Sequence, residues 1–132
     1  MGLDMYLNGK RYYMDRPAEV LGKLRKKAEI YELGYWRKHP NLHGYIVDNF
    51  ADGVDDCREI ALGEDRINQL IEAVKAKELP ETQGFFFGQS DGSDEEIAED
   101  LTILQGALEW LLEWLLETDE GMCRSVSYRA SW

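Results

Sequence analysis

The stretch GYWRKHPNLHGYI, residues 34–46, places two aromatic rings (Tyr35, Trp36), two cations (Arg37, Lys38) and two imidazoles (His39, His43) within ten positions. Indole and phenol rings stack on a nucleobase, a guanidinium grips phosphate with a planar fork, and an ammonium adds a point charge. Pro40 suits the first position of a helix, whose free amides favour an anion. The combination fits a flat, phosphate-bearing ligand, provided that Trp36 and Arg37 border a concavity. The alternative is packing and surface: Trp36 in the core, with Arg37 and Lys38 in solvent or paired with acids. His39 and His43 have the i, i+4 spacing of a helical metal pair. But His39 precedes Pro40 and falls outside the helix, so no metal site is read here. His43 is expected as a polar group inside the fold or at a pocket rim.

Two further motifs carry chemistry. GVDDC, residues 53–57, joins Asp55 and Asp56 to Cys57. Such a group suits Mg²⁺ or thiol chemistry, but no spacing supplies a base for the thiol, and an Asp-rich turn is the alternative. GFFFG, residues 84–88, puts three phenylalanines in a polar loop. At least one must plug the core, and Phe86 and Phe87 are candidates to line a pocket with His43, which Arg129 would close. The GxxxxGK[ST] phosphate loop is missing, and no Ser-His-Asp set or catalytic carboxylate pair stands out. No cofactor is implied.

Twenty-six acidic residues face fifteen basic ones, and the split is uneven. Residues 1–50 carry nine Lys/Arg against six Asp/Glu, whereas residues 51–132 carry six against twenty. The first half tolerates anions and the second repels them or serves solubility. With no broad basic stripe, direct nucleic-acid binding is not expected. No apolar run approaches the roughly 20 residues of a membrane span, and no signal peptide is read at the start. Cys57 and Cys123 sit in no CxxC pattern and read as free thiols of a cytoplasmic protein, with a single disulfide between them as the alternative. The 132 residues are expected to form a single domain.

The elements that must position these residues follow from periodicity. Leu3, Met5 and Leu7 alternate as a strand, Asn8-Gly9 signals a hairpin, and RYYM is its return. Val20, Leu21, Leu24 and Ala28 form a helical stripe, predicting a helix over 17–29. A second helix runs from Pro40 to about Phe50, a short strand covers 58–62, and a third helix begins at 63–65 with Ile67, Leu70, Ile71 and Val74 inward. Residues 79–96 are loop, and Ser93 or Asp94 caps a long helix to about Glu117. That helix has a leucine stripe and a second stripe of Ile103, Ala107, Trp110 and Trp114. Either it is central, or Trp110 and Trp114 meet a partner chain in a homodimer. Residues 123–132 form a closing strand. The fold class is α+β: a small, mainly antiparallel sheet of three to four strands with about four helices, the long one C-terminal.

MGLDMYL at the start, GYWRK followed by His43, GVDDC, LP…GFFFG and the terminal SW together resemble an uncharacterised family of small phage and prophage proteins. The resemblance spans the whole chain. It departs at His39 and Pro40, where the family carries small or amide residues, and after FFFG, where relatives are often Tyr-rich. It implies the context of an accessory protein in the cytoplasm of an infected bacterium. The expected function is binding of a small anionic ligand, such as sequestration of a nucleotide-derived immune signal without turnover. The alternative is an acidic inhibitor of a host nucleic-acid-binding protein. A third reading is a nucleotide-modifying enzyme using Asp55, Asp56 or Cys57.

Overall fold

The computed structural model describes residues 2–13, 20–21, 24–84, 87–117 and 121–132; the side chains of residues 20–21, 24–25 and 114 lie outside the description. A four-stranded antiparallel sheet has the order β4-β1-β6-β5, built from β1 (Asp4–Tyr13), β4 (Ala28–Arg37), β5 (Ile60–Ala61) and β6 (Met122–Ser131). Two short strands, β2 (Val20–Leu21) and β3 (Leu24–Arg25), pair with each other. Three helices, α1 (Pro40–Phe50), α2 (Glu64–Lys75) and α3 (Asp94–Leu112), are described, the last continuing as a 3₁₀ turn over Glu113–Leu116. The α+β class with one long late helix is as expected, with one helix fewer among the described residues. None of these helices is long and apolar enough to cross a membrane.

Alternation makes the sheet two-faced. Leu3, Met5 and Leu7 are fully buried, as are Tyr128 and Ala130 of β6, whereas Asp4 and Tyr6 point the other way. Each such leucine contributes about 1.5–3 kcal/mol on burial. Leu42 and Ile46 of α1, Ile67, Leu70 and Val74 of α2, and Leu104, Ala107 and Leu111 of α3 meet this face in one core. Ser93 caps α3 by accepting from the Glu96 N–H at 3.1 Å.

Two elements differ from the periodicity reading. The Asn8-Gly9 hairpin is absent, and β1 runs straight through to Tyr13. Gly9 faces inward beneath Trp110, where a Cβ would lie 2.7 Å from the indole, so the glycine serves close packing and not a turn. The helix over 17–29 is replaced, where described, by β2, β3 and the start of β4; its residues 14–19 and 22–23 lie outside the described residues. Gly22 already weakens a helix there by about 1 kcal/mol, and pairing with β1 along the whole of Ala28–Arg37 outweighs the apolar stripe. A bulge on that ladder, where Leu7 opposes Gly34 and Asn8 opposes Glu32, tucks Leu33 against the core.

Inward Gly34 gives α3 its close seat, since a Cβ there would overlap Ile103 Cγ2. Trp110, partly buried, packs against the core between Gly9, Tyr31 (ring centroids 5.9 Å) and the Arg124 guanidinium, 4.9 Å above the indole. The Trp114 side chain lies outside the description.

Candidate functional site

The residues singled out in GYWRKHPNLHGYI separate by strand alternation. Tyr35 and Arg37 of β4 project from the face opposite the helices, and Trp36 projects inward. On the outer face the register aligns Tyr35 with Tyr6, and Tyr6 with Arg129. The two tyrosine rings lie 5.3 Å apart at 51°. Arg37 opposes Asp4 one step along, with 3.9 Å between guanidinium and carboxylate, and stays 54% exposed. In solvent such a pair holds weakly and leaves the guanidinium free to turn to a ligand. The Tyr35 hydroxyl donates to Asp4, and that bond, with desolvation and the carboxylate's charge, raises the phenol above its ordinary value. Tyr35 thus remains a neutral stacking ring.

Trp36 does not stack on any ligand: it is 5% exposed within the core. Its Nε1–H donates to Asp100 Oδ1 at 2.9 Å. Asp100, on α3 and 1% exposed, also meets His39 Nε2 at 2.8 Å through Oδ2. A carboxylate only accepts, so this His39 nitrogen carries the hydrogen and Nδ1 accepts from the Ser90 hydroxyl, 2.6 Å away. Ser90 Oγ in turn accepts from the Asn41 N–H at 3.1 Å. That amide belongs to the first turn of α1, where His39 supplies no side-chain cap. A serine 49 residues away therefore performs the capping. Glu96 Oε1 stands 3.6 Å from His39 Nε2.

This group borders a cleft beneath the 79–92 loop. A cavity of about 630 Å³, lined by Asn41, Thr82, Gln83, Gln89, Ser90 and Gly92 among others, forms the outer part. A second of about 210 Å³ shares Asn41, Leu79 and Gly92 with it and reaches Lys77, Glu96 and Asp100. Lys38 lines neither. It holds a left-handed backbone (φ 56°), its N–H donates to Leu3 O at 2.8 Å, and its stem packs against Gly88.

His43, on α1, is buried. Its Nε2–H donates to Asp55 Oδ1 at 2.9 Å, which leaves Nδ1 to accept from the Tyr128 hydroxyl at 2.6 Å. Burial, then the charge of Asp55, pushes the Tyr128 phenol well above its usual range, so it stays a donor. Phe87 and Trp132 close edge-on around the imidazole, at 5.3 and 5.7 Å between ring centroids. The neighbouring cavity, which Cys57 lines, measures about 10 Å³, room for one water and no substrate. Asp56 is held by Arg58 through two bonds of 2.7 Å. His43 and Phe87 are thus interior residues and do not form a pocket with Arg129, while Phe86 lies outside the described residues. Tyr128→Phe should leave His43 Nδ1 without a donor and lower stability by about 1–3 kcal/mol in urea unfolding. A change below about 0.3 kcal/mol would remove this bond from the account.

The outer sheet face therefore gathers Tyr35, Arg37 and Arg129, and adds Tyr6, which the sequence reading passed over. The cleft gathers His39, weighed from the sequence only as a partner of His43, with Ser90, Glu96 and Asp100, which were not singled out. One signal marked Asp100: at spacings of three and four from Ile97 and Leu104, it is a charge inside the buried stripe of α3. Comparison with protein-family models, curated proteins and solved structures finds no match to this chain.

Proposed function

We propose that this chain is a phage-type accessory protein that holds a small, flat, anionic ligand of nucleotide type on the outer sheet face, without turning it over. The supporting observation is the cross-strand row Tyr35–Tyr6–Arg129, with Arg37 one register step away. A base stacks on the Tyr35 and Tyr6 rings, and Arg37 and Arg129 take the phosphate. Two strand spacings separate β4 from β6 by ~10 Å, about the reach from base to phosphate. The motif-based resemblance to small phage proteins supports a role in sequestering a nucleotide-derived signal.

Thermal unfolding in the presence of cyclic di- and trinucleotides and ADP-ribose derivatives tests this reading. A bound ligand raises Tm by mass action and is recovered unchanged by mass spectrometry. Tyr35→Ala with Arg129→Ala, both at exposed positions, should keep the unliganded Tm and abolish the shift. The absence of any shift at high micromolar nucleotide, or a shift that survives the double substitution, defeats the reading. A protein partner is the second reading, favoured by Leu115 and Leu116, 66% and 80% exposed beside the acid-rich α3. Salt-sensitive capture of a basic host protein by nucleotide-free chain would favour it.

A further inference from the structure

We propose that His39, Glu96 and Asp100 form a binding site for one divalent transition-metal ion, with zinc the ion their chemistry fits best. The group lies on the helix side of the sheet, away from the tyrosine–arginine row, and stands independently of it. One donor atom from each residue falls within 4.8 Å of the other two. His39 Nε2 is 2.8 Å from Asp100 Oδ2 and 3.6 Å from Glu96 Oε1. An ion held at about 2.0–2.2 Å by nitrogen and oxygen separates its donors by roughly 3.0–3.5 Å. The His39–Glu96 distance is already close to this, and the His39–Asp100 hydrogen bond has to open by a few tenths of an ångström.

The outer contacts are those of ligands already aimed. Asp100 Oδ1 is held by the Trp36 indole N–H, which turns Oδ2 toward His39. Ser90 fixes the far nitrogen of the imidazole. Glu96 Oε2 accepts from the Asp91 N–H at 3.0 Å, with a longer bond of 3.2 Å from the Gly92 N–H to Oε1. Such partners set the direction and basicity of a metal's ligands. When the ion takes Nε2, the ring hydrogen moves to Nδ1 and is given to Ser90 Oγ. Two carboxylates and a neutral imidazole sum to −2, which a divalent cation cancels, and Asp100 is the buried charge most in need of it. The ions are offered an approach through the 210 Å³ cavity that Glu96 and Asp100 line. Three protein ligands leave a fourth position facing that cavity, the arrangement of a zinc site that holds water or a ligand. One imidazole with two carboxylates suits zinc better than magnesium, which favours six oxygens.

The test uses chelator-treated protein carrying Cys57→Ser and Cys123→Ser, so that thiols cannot supply the signal. Calorimetric titration with zinc should show one ion per chain, magnesium should give no heat, and saturating zinc should raise Tm by several degrees. Glu96→Gln, at a half-buried position, should fold normally and weaken zinc at least ~10-fold, and Asp100→Asn, though less stable, should weaken it as much. X-ray absorption at the zinc edge should show a single imidazole among oxygen donors. No heat and no Tm change with zinc would overturn the site. So would zinc binding that Glu96→Gln leaves intact, because the group would then be only a hydrogen-bonded clip between α1, α3 and the 79–92 loop.

Discussion

Asp100→Ala should remove about 3–5 kcal/mol of stability, most of the margin of a domain this size. The carboxylate is the common acceptor for the Trp36 Nε1–H and the His39 Nε2–H, and all three side chains are buried. Alanine leaves two buried donors without their acceptor, each worth about 1–3 kcal/mol when unpaired. The loss spreads further through His39 to Ser90, which caps α1 and fastens the 79–92 loop. Thermal unfolding should show a midpoint lower by about 10–20 °C, and urea unfolding the same loss of stability. Asp100→Asn keeps an oxygen for the indole and should lose less than half as much. A loss below about 1 kcal/mol for Asp100→Ala would mean that water replaces the carboxylate, and that the network is not buried as described.

Gly34→Ala should destabilise by about 1–3 kcal/mol, and the sign should reverse when Ile103 is also cut to alanine. Gly34 has no positive φ, so alanine meets no backbone strain there. The penalty comes from the new methyl overlapping Ile103 Cγ2, on a branched side chain with little rotamer freedom. With Ile103→Ala in place the overlap is gone. The same glycine replacement then stabilises by about 0.4–1 kcal/mol, because alanine narrows the unfolded ensemble. A double-substitution cycle in urea measures the coupling. Coupling below about 0.5 kcal/mol would place α3 further from β4 than the structure has it.

The long-period features were legible from the residues alone. Leu3, Met5 and Leu7 alternate because one face of β1 is dry, and α1 and α2 announce themselves by Pro40 and by the Ile67–Leu70–Val74 stripe. What escaped was decided by contacts between distant parts of the chain. Gly9 resembles a turn residue until Trp110 is placed above it, and the 17–29 stripe reads as helix until β4 finds β1. In GYWRK, the direction of each side chain escaped the reading. Tyr35, Trp36 and Arg37 are neighbours in sequence, and a strand sends the middle one to the opposite face. The cleft was invisible for another reason. His39, Ser90 and Asp100 are far apart in sequence and become one group only when α1, the 79–92 loop and α3 dock.

The sheet's central ladder joins β1 to β6, with Asp4 opposite Ser131 and Tyr13 opposite Met122. The middle of the sheet is thus made by segments more than a hundred residues apart, and closing so large a loop comes before the reward of the ladder. Maturation should therefore be governed by this long-distance encounter and be slow beside helical proteins of equal length. The same pairing sets both ends of the chain side by side, so a short tether joining them, with a new opening cut in the exposed 52–56 turn, leaves every strand its neighbour.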